Sequence, residues 1–188
     1  MARGKTKQLI VDAAVQVAAQ HGISGASMDL IAETAGVAKG SLYYNFASKD
    51  ALFAEVMRDG FEKLGATIDE AHARTVENGD ATGLPRAVAA ATLEGLRGNL
   101  DLAKLMASEV FRTDRAWAEI MEHARSSVVV KYRDALREAQ AARGDDGEIT
   151  ETAGAAFFGA IAGACLDWLL FRPEQPVEQV LDQVLRAF

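Results

Sequence analysis

Residues 27–53, SMDLIAETAGVAKGSLYYNFASKDALF, hold two short helical patterns separated by a glycine turn, then a lysine that opens a third helix. In the first pattern Met28, Ile31, Ala32 and Ala35 recur at i, i+3, i+4 and i+7, which makes one apolar stripe. Ser27 precedes the stripe, where its hydroxyl can accept from an early amide, and Asp29 puts negative charge in the first turn. Gly36 is placed to end this helix at a position that requires positive φ. In the second pattern Leu42 and Phe46 point inward, leaving Lys39, Ser41, Tyr43, Tyr44 and Asn45 outside. A solvent face with two tyrosines among hydrogen-bonding side chains suits a groove of bases and phosphates: hydroxyls reach phosphate oxygens and ring edges meet thymine methyls. The expectation is a helix-turn-helix that enters double-stranded DNA.

Two short helices cannot hold themselves together, and the stretch ahead of them supplies support. Ile10, Ala13, Ala14, Val17 and Ala18 fall at helical spacing, and His21-Gly22 ends that pattern. Before it, Arg3, Lys5 and Lys7 form a basic arm, read either as lying along phosphates or in a minor groove, or as an unstructured, solubilising N-terminus.

Taken together, Asp12-Ala13-Ala14, Gly22, Ser27-Met28, Ile31-Ala32, Ala35-Gly36-Val37, Lys39 to Phe46 and Ser48-Lys49-Asp50-Ala51-Leu52 resemble the DNA-binding domain of the tetracycline-repressor (TetR) family. The resemblance covers roughly a quarter of the chain, with many residues in register. It implies that Ser27, Tyr44 and Lys49 touch phosphates and that Lys39, Gly40, Ser41 and Tyr43 face the bases. Ala38 stands where that family often has Ser or Thr, and Asn45 where His is common.

The chain carries a net charge of −7, which argues against a nucleic-acid partner until it is divided by segment. Residues 1–50 hold five Lys or Arg against four Asp or Glu, so the remaining fifteen and twenty-three put the acidity in the second part. Cys165 is the single cysteine, which excludes an intrachain disulfide and points to a buried, inert thiol in a reducing cytoplasm. No secretory signal is visible, since the basic N-terminal residues lead into an amphipathic helix.

The second part reads as helical throughout, so the fold class is all-α, with about nine helices and domains at 1–48 (DNA-binding) and 49–188 (ligand-binding and dimerisation). Ser48 caps a long helix from Lys49 to about Arg74, and a turn-rich loop at 77–83 precedes Leu84-Pro85, a helix start. Gly98-Asn99 breaks that helix from one running to about Phe111, Asp114 caps a long helix stopped at Gly144, and an apolar helix and a terminal one follow. The segment 153–171 has one charge, Asp167, and is long enough to span a bilayer. Its Ala and Gly content and its acid favour an interface helix covered on two sides, with no membrane partner.

That helix and the last one are the candidate seam of a homodimer, through Phe158, Ala162, Leu166, Leu169, Val177, Val180, Leu181 and Val184. The plainer reading, that both complete the core of a single subunit, stays open. The family resemblance implies a twofold dimer joined by a four-helix bundle of these helices, with two recognition helices reading a near-palindrome. It also implies a pocket for a small-molecule effector, which Phe61, Leu64, Met106, Phe111, Trp117, Met121 and Phe157 can line, although each is equally ordinary core.

No catalytic site, metal site or cofactor is expected. His21, His72 and His123 lack metal-ligand spacing, and no phosphate loop, dinucleotide fingerprint or nucleophile elbow occurs. The sequence therefore predicts a ligand-responsive transcriptional regulator, a repressor released from its operator by a small molecule. Its rival is a helical ligand-binding or scaffolding protein that has lost operator recognition.

Overall fold

The computed structural model describes residues 2–109, 119–120, 122–123 and 125–186, and among these there is no β-strand. The helices are α1 (Ala2–Gly25), α2 (Met28–Thr34), α3 (Lys39–Asn45), α4 (Lys49–Glu77), α5 (Leu84–Gly98), α6 (Leu100–Glu109), α7 (Val130–Ala142), α8 (Glu151–Phe171) and α9 (Val177–Leu185). A 3-10 turn (Ala81–Gly83) precedes α5 and a π turn (Arg125–Val129) precedes α7.

The chain forms two compact units. The first is Met1–Gly60 with α6 from Asp101 onward, and the second holds Phe61–Leu100 and the chain from Met121. This corrects the expected division at residue 48. The first part of α4 belongs to the first unit, where Gly60 lets Leu102 and Met106 of α6 approach; a Cβ there would lie 3.1 Å from a Leu102 methyl.

In the first unit Ile10, Ala13, Ala14, Val17 and Ala18 of α1 are buried as the periodicity requires, together with Val11. They share a core with Ile31 and Ala32 of α2, Leu42 of α3, Phe46, and Leu52, Phe53 and Val56 of α4. The N-terminal arm is not extended: residues 2–8 are the first turns of α1. Gly22 breaks the helix as expected, with φ 69° and ψ 164° inside the assigned span.

In the second unit α5, α7 and α8 pack on one another and α9 lies against α5 and α8. Leu84, Val88, Leu93, Ala135, Phe157, Ile161 and Trp168 form its core around Tyr132, which is fully buried. The Tyr132 hydroxyl is hydrogen-bonded to Thr92 Oγ1, and its ring meets Phe157 edge-on at 5.6 Å between centroids. Burial raises the phenol well above its ordinary pKa.

Two sequence expectations change here. The helix expected from Asp114 to Gly144 is interrupted by the π turn, so α7 begins only at Val130, while Asp114 lies outside the described residues. Val180 and Leu181, expected in a subunit seam, are 6% and 4% exposed within the single chain, so little of either is left to offer a partner. The single chain covers one side of α8, the other being the side expected to meet a partner: Gly154, Phe157, Ile161, Cys165 and Trp168 are buried, whereas Ala155, Ala156, Gly159, Gly163, Leu170 and Phe171 are exposed. It is long and apolar enough to cross a membrane, and 28% of its apolar window is buried. Phe158, Ala162, Leu166, Leu169, Val177 and Val184 are half-buried.

Of the expected pocket residues, Phe61, Leu64 and Phe157 are buried in the second unit and Met106 in the first. Phe111, Trp117 and Met121 lie outside the described residues.

Candidate nucleic-acid interface

The turn between α2 and α3 follows from its capping residues. Ser27 Oγ accepts from Leu30 N at 3.1 Å and starts α2. At the other end Gly36 takes φ 65°, so that Gly36 N donates to Glu33 O and Val37 N to Ala32 O, both at 3.0 Å. This paired closure is how a helix ends on a left-handed residue, where a side chain would be strained. Ala38 starts α3 with no side-chain cap. Leu42 is 0% exposed and Phe46 5%, and these two anchor α3 to the core.

The rotation set by those anchors turns the rest of α3 outward. Tyr43 is 52% exposed and Tyr44 70%, among the few large side chains of the described residues left in water. Lys39 and Gly40 are exposed beside them, one turn earlier on the same face. Ser27 is also exposed, and its hydroxyl keeps a hydrogen to donate after capping α2. Ser41 and Asn45 are half-buried, and Asn45 Nδ2 donates to Ser41 O at 2.7 Å, which uses one amide hydrogen to close the helix.

Three of the basic residues expected at this surface are engaged within the chain. Lys49 Nζ donates to the carbonyls of Ile23 and Ser24 at 3.0 and 3.2 Å, satisfying acceptors at the end of α1. Lys7 Nζ sits 2.5 Å from Glu55 Oε1, a carboxylate it shares with Arg58, and 6.0 Å from the centre of the Phe46 ring. Lys7 thus ties α1 to α4 and to the end of α3. Lys39 Nζ lies 2.6 Å from Asp29 Oδ2 of α2. That hydrogen bond and charge hold the ammonium above its ordinary pKa. Lys5 is exposed on α1.

Sequence reasoning missed Asp29 as a member of this surface. Its position in the first turn of α2 suggests only a dipole partner, and nothing in a separation of ten residues announces contact across a turn. Chemically the face offers phenol and alcohol hydroxyls, ring edges, one ammonium and one carboxylate. Such groups have the chemistry to bond phosphate oxygens and base edges. Among the described residues no three His, Cys, Asp or Glu side chains cluster to hold a metal.

Comparison with known proteins follows the same geometry. Residues 10–56 match the family described as bacterial regulatory proteins, tetR family. The HTH-type transcriptional repressor DhaR of Mycobacterium sp. (strain GP1) is 33% identical over 122 residues, 61% of this chain and 60% of that one. The chain thus spans less than two thirds of that repressor's length, and 28% and 34% of two further curated regulators. Among solved structures, a TetR-family member from Streptomyces coelicolor A3 superposes with a TM-score of 0.71 at 25% identity, over 96% of both chains. FadR from Bacillus subtilis, solved with stearoyl-CoA, gives 0.80 at 21% identity over 95% of both, a likeness of fold.

Proposed function

We propose that the chain, whose residues 10–56 match the tetR family of bacterial regulatory proteins, is a one-component transcriptional regulator, a repressor that a small molecule releases from a near-palindromic operator. The carrying observation is the outward face of α3, where Lys39, Gly40, Tyr43 and Tyr44 stand in water while Leu42 and Phe46 are buried. A solvated face elsewhere would be filled with Glu and Lys. Ser27 and the tyrosine hydroxyls position the helix on phosphates, Lys39 and Tyr43 meet base edges, and Lys5 adds attraction from α1.

A homodimer is the working form in this reading. It is supported by the uncovered side of α8, where Ala155, Ala156, Gly159 and Gly163 make a smooth apolar strip on which a second helix can lie close. Two copies then present two copies of α3 to successive major grooves, about 34 Å apart. The small-molecule effector is supported by the fold shared with FadR, a protein solved with stearoyl-CoA, and by the buried Phe61, Leu64 and Phe157 in the second unit. A soluble, cytoplasmic regulator without catalytic activity is the consistent whole.

The test is to sequence the genomic fragments that the pure protein retains, then titrate the enriched fragment and a scrambled copy by mobility shift. One enriched near-palindrome bound far more tightly than its scramble is expected. Equal affinity for both would reduce the protein to a nonspecific binder and end this reading.

A further inference from the structure

An exposed ion pair between two helices is too weak to explain how α2 and α3 are held, since Ile31, Ala32 and Leu42 already do that from inside. The Lys39 and Asp29 side chains are 65% and 59% exposed, yet Nζ and Oδ2 meet at 2.6 Å. Both lie at helix starts on the surface read above as facing DNA, so any phosphate that approaches Lys39 also approaches a carboxylate. A lone lysine there would add attraction to every duplex. A lysine cancelled by an aspartate adds almost none.

We propose that Asp29 is a specificity-determining residue, and that Asp29 and Lys39 work as one charge-neutral donor–acceptor unit that ignores bare phosphates and reads a G·C base pair. This rests on the reading of α3 as a recognition helix. In the major groove guanine presents O6 and N7 as acceptors, which suit an ammonium, and cytosine presents an N4 donor, which suits a carboxylate. The two groups on the protein are already adjacent, as those on the base pair are. At a mismatched edge the carboxylate faces an acceptor, and the repulsion rejects the site.

The test compares wild type, Asp29→Asn, Lys39→Gln and the double variant by fluorescence anisotropy on a mixed-sequence duplex across a salt series. Selection from a randomised duplex pool accompanies it, and thermal unfolding verifies that each variant folds. Asp29→Asn is expected to bind the mixed-sequence duplex about three- to tenfold more tightly at low salt, with a log–log salt slope steeper by about one unit, because one ammonium is freed to displace a counterion. The steepening is expected to vanish when Lys39 is already Gln, and the selected motif to lose its preference at one G·C pair in each half-site. An unchanged slope, an equal steepening with and without Lys39, or a selected motif identical to wild type would overturn the proposal. Wild-type protein that binds no duplex even at low salt would instead overturn the DNA-binding reading itself.

Discussion

Helices α3 and α8 both leave in water what a helix in a small bundle normally hides, but they do so with opposite chemistry. The outer face of α3 carries two phenols and an ammonium, with Tyr44 70% exposed. The outer face of α8 carries Ala155, Ala156, Gly159 and Gly163, with no hydrogen-bonding group among them. A wet, charged partner rewards the first arrangement, because hydroxyls and cations exchange water for phosphate and base edges. A dry partner rewards the second, because small side chains let another helix approach until backbones nearly touch. The contrast teaches that exposure alone does not name a partner, whereas exposure sorted by side-chain type does.

The largest effects should separate the buried side of α8 from the outer face of α3. Trp168 is 1% exposed, its indole N–H donates to Gln175 O at 2.8 Å, and Arg97 stands 5.8 Å over its ring. Trp168→Ala should cost ~3–5 kcal/mol in urea unfolding. Tyr43→Ala should leave stability within about 0.5 kcal/mol while weakening operator binding by ~1–3 kcal/mol. A Tyr43→Ala protein that unfolds more readily would show that its ring packs inside the subunit and would break the comparison.

Next in size is the outer strip of α8. A Cβ added at Gly159 or Gly163 meets nothing within 4 Å in the single chain. Gly159→Leu should therefore fold at least as well, helped by a helix propensity gain of up to ~1 kcal/mol, but weaken self-association at least about tenfold in sedimentation. An unchanged dimer would move the seam elsewhere.

Two different buried groups of the second unit, a phenol and a thiol, give a third test. Tyr132 is buried and held protonated above its ordinary pKa of 10.0, and burial pushes the Cys165 thiol from 9.0 up to about 11. For both groups the unfolded chain releases its proton first as pH rises, so the stabilising contribution is complete below the unfolded pKa, 9.0 for Cys165 and 10.0 for Tyr132, and is lost as pH rises above it. Urea midpoints should fall between pH 9 and 11 as Cys165 loses its share. Above pH 10 Tyr132 adds up to ~1.4 kcal/mol per pH unit, a part that Tyr132→Phe should abolish.

The smallest effect concerns Lys49, whose two carbonyl partners make it a structural cap and which the proposed reading also sets against a phosphate. Lys49→Ala should cost about 1 kcal/mol of stability and flatten the salt dependence of binding by about one unit of slope. Loss of slope without loss of stability would mean that the cap carries no weight.

Much of this was legible in the sequence because helix ends are written in local chemistry. Ser27, Gly36, Ser48, Pro85, Gly98-Asn99 and Gly144 each begin or end an element as read, since capping depends on residues three or four apart. The outward set of α3 was legible for the same reason: Leu42 and Phe46 fix its rotation. What stayed hidden depends on partners distant in sequence. Gly60 places the start of α4 with α6, Asp29 finds Lys39 across a turn, and the inward turn of Val180 and Leu181 needs α5 and α8 in place. The π turn at Arg125–Val129 shifts the helical phase without any proline or glycine to mark it.

That turn meets its neighbours without any side chain in between. A methyl group at Gly65 would sit 2.5 Å from Ser127 O, and one at Gly154 would sit 2.8 Å from Val129 O. Two main-chain carbonyls of the unwound stretch thus lie close against glycine backbone of α4 and α8. A joint made of main chain has no rotamers with which to absorb a change, so alanine, elsewhere the mildest replacement in a helix, is the intrusive one here. These two glycines leave a mutated lineage little room to drift.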